Sequence, residues 1–167
     1  SLRLPWKSDG ARQFNVNLFA CIYWTAVKTS AQLATFHGPH DGWKLTDTGR
    51  GIFHPDHFGD AAFEPEPHAI SPQEIEQIRT DVKTNGMRNS YLIALMPTAA
   101  TSTLLNSSPS FDPLMTNLFE RDTNAGSFTV LRPQIVNDLL ALGRWTDETK
   151  QLMIQGGGSL KLVQGLP

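Results

Sequence analysis

The residues Tyr91 to Met96 constrain the fold of this chain more than any other stretch. They read Tyr-Leu-Ile-Ala-Leu-Met, six apolar residues in succession. The run is too short to cross a membrane and too continuous for a strand with one face in water. It is typical of a strand buried on both faces, as in a parallel sheet covered by helices. We therefore predict a buried strand that ends at Met96, because Pro97 cannot donate a hydrogen bond to a central ladder.

The sequence after Pro97 is typical of a helix start. Proline is tolerated at the first position of a helix, and residues 98–105 read Thr-Ala-Ala-Thr-Ser-Thr-Leu-Leu. A strand that leads into a helix N-terminus leaves backbone N–H groups at the positive end of the helix dipole, where phosphates bind. The two alanines permit close approach, and the hydroxyls can add hydrogen bonds. The alternative is an ordinary strand–turn–helix connection in which the hydroxyls only cap the helix.

Composition narrows the class of protein. The 167 residues are enough for one domain with a hydrophobic core, and the net charge of −2 with 18 % charged residues gives no sign of nucleic-acid binding. Cys21 is the single cysteine, which excludes an internal disulfide, a multi-cysteine zinc site and a dithiol pair within these residues. No apolar run has the length of a membrane helix and no signal peptide is present, so the sequence favours a soluble, cytoplasmic protein. Because the chain starts without methionine and ends without a clear element, we expect a piece of a larger polypeptide.

A long first helix is predicted from Ser8 or Asp9 to about Thr35, ended by Gly38 and Pro39. Apolar and small side chains recur in it at three- and four-residue steps, and this stripe is expected to face the core: Phe14, Leu18, Cys21, Ile22, Thr25 and Ala26. Trp24, Val27, Ala31 and Ala34 widen the stripe, so we expect the helix to be well buried. Because Cys21 lies in this stripe, we interpret it as a small buried hydrophobic residue rather than a nucleophile.

Further elements are predicted on both sides of the apolar run. Residues 40–67 form a long irregular segment, which its aromatic side chains should hold against the core. Ser71-Pro72-Gln73-Glu74 has the cap, the proline and the glutamate of a helix start, and Asn85-Gly86 ends that helix. Later elements are expected to be an irregular apolar segment over 111–119, a strand over 126–131, helices over 133–142 and 146–154, and a flexible glycine stretch over 156–158.

The number of strands bears on the fold class. One doubly buried strand and one further strand stand among four or five helices. A doubly covered strand needs neighbours on both sides, and these residues supply too few. The fold is therefore either mostly helical with a minimal sheet, or α/β with the missing strands elsewhere in a longer polypeptide.

The sequence gives little support for a metal-binding site or for the active site of a hydrolase. The pairs His37/His40 and His54/His57 have i, i+3 spacing, but prolines interrupt both and no His-Glu-x-x-His sequence occurs. A zinc site needs three or four ligands with supporting partners. We therefore predict surface or capping histidines and no metal site. No Gly-x-Ser-x-Gly elbow is present, no carboxylate pair is indicated, and the glycine stretch lacks the lysine of a P-loop.

Three stretches resemble consecutive parts of the large subunit of class I ribonucleotide reductase. They are Gly86-Met-Arg-Asn-Ser90, Ala94-Leu-Met-Pro-Thr-Ala-Ala-Thr101 and Phe111-Asp-Pro-Leu-Met-Thr-Asn-Leu-Phe119. Cellular members usually carry Met-Pro-Thr-Ala-Ser-Thr, so Ala100 stands where they have serine, and Leu95 where they often have proline. The sequence Leu-Met-Pro-Thr-Ala-Ala and the later Thr-Asn-Leu-Phe are more similar to the corresponding sequences of herpesvirus large subunits. The resemblance covers the whole chain and is strongest from Gly86 to Trp145.

The resemblance implies an α/β fold that is part of a ten-stranded barrel of two antiparallel five-stranded halves. Residues 1–167 would be a segment of the second half of the catalytic barrel domain, not a complete domain. The implied enzyme reduces ribonucleoside diphosphates to deoxyribonucleotides by radical chemistry, binds nucleotides including ATP, and serves DNA replication. In the family, the matching loop binds the substrate's phosphates through backbone N–H groups and hydroxyls. That role is carried over to this loop: Pro97, Thr98, Ala99, Ala100 and Thr101. Ala100 lacks one hydroxyl but keeps its backbone donor.

The family's catalytic residues have no match here. They are a radical cysteine and a base in an Asn-x-Cys-x-Glu loop, a redox pair of cysteines, and C-terminal tyrosines that relay the radical; Cys21 matches none of them. The resemblance therefore implies no catalytic residue and no bound metal or cofactor in this segment, which is not active alone. The radical would come from a metal-containing small subunit. The other implied partners are a ribonucleoside diphosphate and a second large subunit in a dimer.

Two alternatives stay open. Some herpesviral relatives keep the barrel, have lost reductase activity and act as protein-binding modules; a host protein would then be the partner, in the host cytoplasm. The second alternative is a free-standing phosphate-binding domain unrelated to the family. A finger-loop cysteine and two redox cysteines in the flanking sequence would indicate the enzyme, and their absence would indicate the binding module.

Overall fold

The computed structural model describes residues 4–59, 64–105, 107–108 and 116–166. Within them the chain forms five α-helices, three short 3-10 helices and one two-stranded sheet. The elements are α1 Asp9–His37, α2 Pro72–Asn85, α3 Ala99–Leu104, β1 Leu118–Thr123, β2 Gly126–Leu131, α4 Pro133–Ala141 and α5 Asp147–Gln155, with 3-10 helices at Trp43–Leu45, Thr48–Arg50 and His54–Phe58. The chain divides into two compact units, Ser1–Met96 and Pro97–Pro167.

Helix α1 begins and ends where the sequence predicts. The Ser8 hydroxyl accepts the N–H of Ala11 at 3.1 Å, which satisfies one of the first unpaired donors of the helix. Gly38 has φ 72° and donates its N–H to the Ala34 carbonyl, so the helix ends on a glycine.

Helix α1 buries one part of its predicted apolar surface and exposes the other. The buried residues are Val16, Trp24, Val27, Ser30, Ala31 and Ala34. Trp24, Val27, Ala31 and Ala34 are buried, as predicted. The other part of the predicted stripe is exposed: Phe14, Leu18 and Ile22 each keep 41 % of their surface, and Cys21 is also exposed. At roughly 100° per residue, the two sets lie about 180° apart around the helix. The prediction of a buried Cys21 is therefore wrong, because α1 carries apolar side chains on two opposite faces and α2 covers only one.

The core of the first unit lies between α1, α2 and the segment around Phe53. Its buried members are Trp24, Val27, Ala31, Phe53, Ile70, Ile78, Val82 and Met87. The expectation that aromatic side chains hold residues 40–67 is confirmed for Phe53, which is 2 % exposed, and for Trp43, which packs against the core. Ile52 and Phe58 stay 39 % and 48 % exposed, and the predicted contact of Phe63 lies outside the described residues.

Helix α2 confirms its predicted caps. The Ser71 hydroxyl accepts the N–H of Glu74 at 3.2 Å, and the Glu74 carboxylate accepts the N–H of Ser71 at 3.1 Å. This reciprocal capping box satisfies two otherwise unpaired N–H donors and fixes the start of the helix. Because the Ser71 N–H and hydroxyl both bond the Glu74 carboxylate, the pKa of Glu74 lies below its usual value. Gly86 ends the helix with φ 75°.

The predicted buried strand at Tyr91–Met96 is wrong for this chain. Residues 91–96 have no regular secondary structure, and Tyr91 and Met96 are 92 % and 73 % exposed. A strand needs a neighbour to receive its backbone hydrogen bonds. In the described part of the chain the two strands pair with each other, so the run has no strand partner there. Leu92 packs against the core, and the other five residues of the run are exposed.

The second unit is built on a hairpin. Strands β1 and β2 pair antiparallel from Leu118↔Leu131 to Thr123↔Gly126, with Asn124 and Ala125 as the turn. Strand β2 confirms the prediction. The sequence did not predict strand β1, because most of its residues fall after the segment expected to be irregular. Residues 111–115 of that segment lie outside the described residues.

Helices α4 and α5 follow as predicted, and the Thr146 hydroxyl caps α5 by accepting the N–H of Thr149 at 3.2 Å.

The glycine stretch at 156–158 is packed, which corrects the expectation of a flexible segment. The Thr116 hydroxyl donates to the Gly157 carbonyl at 2.9 Å, and the Asn117 side-chain amide donates to the Gly158 carbonyl at 2.9 Å. Gly158 is buried with φ 89°, and a Cβ there would lie 2.6 Å from the backbone nitrogen of Leu118. Glycine is needed here for close packing against the start of β1.

Candidate functional site

The loop that joins the apolar run to α3 has the backbone geometry expected of a helix start. The first i→i−4 bond runs from Ser102 N to Thr98 O at 2.7 Å, and Leu105 N donates to Thr101 O at 2.9 Å. The N–H groups of residues 99–101 come before that first bond, at positions where an α-helix offers no backbone acceptor of its own. The predicted helix start after Pro97 is therefore confirmed, although α3 is only six residues long.

The side chains of the loop are small and carry no charge. Pro97, Ala100 and Thr101 are exposed, Thr98 is half-buried, and Ser102 is 3 % exposed; the side chain of Ala99 lies outside what the structure describes. Residues 97–108 include no lysine, arginine, aspartate or glutamate. An anion at this loop would therefore be held by amide dipoles and hydroxyls rather than by a local cation. All five predicted site residues are consecutive, so the sequence alone brings them together.

The first unit contains a separate hollow of about 960 Å³. Its lining includes the rings of Tyr23, Trp24 and Phe58 and the ion pair of Arg79 with Asp56. The Arg79 guanidinium donates twice to the Asp56 carboxylate, at 2.9 Å and 2.5 Å. It also lies 4.6 Å from the centroid of the Phe53 ring and 5.2 Å from that of Trp24. Arg79 is thus held by a carboxylate and two ring faces.

The ionisation of these groups follows from their contacts. The Arg79 hydrogen bonds hold the pKa of Asp56 below its usual value and raise the pKa of Arg79. Burial raises the pKa of Tyr23, whose hydroxyl accepts the N–H of His54 at 3.0 Å. Asp56 is thus a charged structural partner at neutral pH, which makes it a poor general base. The arrangement stabilises the unit, and sequence reasoning missed it because the pair spans 23 positions.

Three of the five histidines have separate polar partners. The Nε2 of His57 lies 3.3 Å from the Asp47 carboxylate, that of His68 lies 3.7 Å from Glu66, and the Nδ1 of His40 lies 2.7 Å from the Asp41 carbonyl oxygen. Among the residues that the structure describes, no group of three or more histidine, cysteine, aspartate or glutamate side chains could hold a metal ion. In the same part of the chain, no helix is long and apolar enough to cross a membrane.

Comparison with known proteins gives the class of protein. The family model described as "Ribonucleotide reductase, barrel domain" matches residues 1–167. The chain therefore belongs to the ribonucleotide reductase family, as the stretches around the loop predict. Membership excludes the hypothesis of a free-standing phosphate-binding domain unrelated to the family. It also supports the α/β barrel class; the ten-stranded count and the placement in the second half-barrel stay predictions.

Individual proteins similar to this chain have names that are more specific than the name of the family. The chain is 37 % identical over 167 residues to a "Ribonucleoside-diphosphate reductase large chain" of Encephalitozoon cuniculi, which covers 99 % of this chain and 21 % of that protein. Proteins of the same name from Cryptosporidium parvum and Neurospora crassa are each 34 % identical over 170 residues. The match covers 20 % of the former and 17 % of the latter. The chain thus spans about a fifth of the length of these relatives. The similarity to herpesvirus large subunits stays a prediction.

Proposed function

We propose that this chain is the segment of a ribonucleoside-diphosphate reductase large chain that holds the substrate's phosphate groups. The phosphates would be bound by the loop of Pro97, Thr98, Ala99, Ala100 and Thr101. The observation that carries the proposal is the position of the three amides of residues 99–101, ahead of the first hydrogen bond of α3 and flanked by small side chains. The names of the relatives support the same substrate class.

The proposal assigns this loop a binding role and no part in the bond-breaking step. Contacts to a diphosphate are remote from the ribose, where the reduction takes place. Such contacts supply binding energy that orients the reacting group. Backbone amides suit this role because their direction is fixed by the helix start and no side chain must be ordered on binding. The hydroxyls of Thr98 and Thr101 would add donors, whereas Ala100 would contribute its amide alone.

The rest of the proposed enzyme lies outside the matched residues. We propose that the whole protein reduces ribonucleoside diphosphates and receives its radical from a metal-containing small subunit. We also propose that it acts in the cytoplasm as a dimer of large chains, in nucleotide supply for DNA replication. Nucleotide binding, including ATP binding, belongs to the same proposal. The alternative of a viral, non-catalytic protein-binding module stays a prediction.

The test measures ribonucleoside diphosphate binding to the full-length protein by isothermal titration. Ala99→Pro removes one of these three amides, at the first position of α3, where proline is tolerated. Because a hydrogen bond to a charged group contributes about 1.5–3 kcal/mol, the Kd should rise about tenfold or more. Ala100→Ser supplies the hydroxyl that cellular family members carry and should lower the Kd. Ser107→Ala, which removes an exposed hydroxyl beyond α3, is the matched control and should leave the Kd unchanged. Wild-type affinity in Ala99→Pro would overturn the proposal.

A further inference from the structure

A continuous exposed face runs along α1, opposite the side that the first unit buries. The exposed positions of this face lie between residues 14 and 36, span about 100° around the helix and extend over about 33 Å of its length. We call them the outer face of α1: Phe14, Leu18, Cys21, Ile22, Thr25, Thr29, Gln32 and Phe36. The Phe36 side chain keeps 82 % of its surface. The outer face thus leaves four large apolar side chains and a thiol uncovered.

The outer face carries no charged side chain, although it is exposed. Residues 13–36 contain a single charged residue, Lys28, which borders the outer face beside Cys21. The Thr29 hydroxyl donates to the Thr25 carbonyl oxygen at 2.9 Å, so this polar group is satisfied within the helix. A helix face that stays in water normally carries charged residues, and a helix that is apolar all round is buried. The outer face therefore has the composition of a packed surface.

Helix α2 of the same unit shows the opposite composition. Its buried residues are Ile78 and Val82, and its exposed side includes Glu74, Glu76 and Lys83. This is the pattern of a helix with one face on the core and the other in water. The lack of charge on the outer face of α1 is therefore a property of that face and not of exposed helices in this chain generally.

The shape of the outer face is suited to a second helix. Its large side chains follow at i, i+4 and i+8 and form a ridge: Phe14, Leu18 and Ile22. The neighbouring row has the same spacing and smaller side chains, which leave a groove: Cys21, Thr25 and Thr29. Helices pack by placing such ridges into the grooves of one another. The matching occupant is an α-helix with an apolar, uncharged contact face.

We propose that the outer face of α1 packs against another α-helix of the same large chain, from the part of the polypeptide outside these 167 residues. Because these residues span about a fifth of the length of the relatives, most of such a polypeptide is available to supply that helix. Surfaces that recognise a separate protein have a polar rim and complementary charges. An uncharged face resembles a domain core and suits a permanent contact within one chain. This contact would form whether or not the loop at 97–101 binds phosphate.

The first test uses Cys21 as a probe of the outer face in the full-length large chain. The native protein, without its small subunit, is treated with N-ethylmaleimide, and mass spectrometry follows the modified fraction of the peptide that contains Cys21. Thr80→Cys is the matched control, because Thr80 is exposed in the middle of α2 and its hydroxyl bonds the Glu76 carbonyl of its own helix. Each rate is divided by the rate of the same thiol in urea-unfolded protein, which removes differences in intrinsic reactivity.

We expect the normalised rate of Cys21 to be at least about tenfold lower than that of the cysteine introduced at position 80, because a covered thiol reacts only when the contact opens. Equal normalised rates would place the outer face in water and overturn the proposal. Protection that appears only after the small subunit is added would also overturn it.

A second measurement identifies what covers the outer face. A diazirine-bearing aliphatic amino acid replaces Leu18, whose size and apolar character it keeps, in a mixture of isotopically light and heavy full-length chains. After irradiation, we expect cross-links to a peptide outside the 167 residues and within one isotopic form. Cross-links between light and heavy chains would mean that a second copy covers the face, and cross-links within the 167 residues would mean that the segment covers itself. Either result overturns the proposal, as does a cross-link yield no higher than that of the same amino acid placed at Thr80.

Discussion

Gly86 offers a quantitative test of how the first unit is packed. Its backbone has φ 75° and ψ −166°, a region open to glycine and strained by about 1–3 kcal/mol for other residues. A Cβ there would lie 2.7 Å from the Cβ of Pro39 and 3.1 Å from the Nε1 of Trp43. Overpacking of this kind adds about 1–3 kcal/mol. We expect Gly86→Ala to lower the free energy of unfolding of the first unit by about 4 kcal/mol in total.

Gly42 is the matched control. It has a similar φ of 76°, but no atom lies within 4 Å of the Cβ that alanine would add. Gly42→Ala should therefore cost only the backbone strain of a left-handed residue, about 1–2 kcal/mol. The assay is urea unfolding at low micromolar concentration in a Trp145→Phe background, so that tryptophan fluorescence reports the first unit alone. Equal destabilisation by the two alanines would refute the close approach of Gly86 to residues 39–43.

Two further predictions concern charge and exposed surface. The pKa of Asp56 is lowered in the folded state, so its stabilising contribution should be present above the unfolded-state pKa of about 3.9 and be lost as pH falls through the lower folded value. Asp56→Asn should flatten that acid decline in urea titrations, and an unchanged decline would show that the pair with Arg79 does not cause it. Replacing Phe14, Leu18 and Ile22 together by glutamine should reduce hydrophobic-dye binding by the 167-residue chain and leave its helical circular dichroism intact. Loss of helix would mean that this stripe is packed in the unit.

The sequence correctly predicts the helix ends that depend on residues close together in the chain. The start of α2 follows from Ser71-Pro72-Gln73-Glu74, and its end from Gly86, because capping satisfies backbone groups within one helical turn. The helix start after Pro97 follows for the same reason. The candidate phosphate loop could therefore be placed from its residues alone, since it is contiguous.

Features that depend on distant partners could not be read in this way. Helix α1 has two apolar faces, and only the position of α2 decides that Trp24 is buried while Leu18 is exposed. The run at Tyr91–Met96 has the composition of a strand, but a strand forms only where another can bond it. The contact of Ser30 with Asn89 joins residues 59 positions apart and leaves no local pattern. Strand β1 mixes two apolar residues with Glu120, Arg121, Asp122 and Thr123, so it lacks a strand's usual alternation.

The most direct test of the phosphate proposal is a crystal structure of the full-length large chain with a bound ribonucleoside diphosphate. The proposal requires phosphate oxygens within about 3.2 Å of the backbone nitrogens of Ala99, Ala100 or Thr101. Phosphates bound elsewhere, with packed side chains in front of those amides, would contradict it.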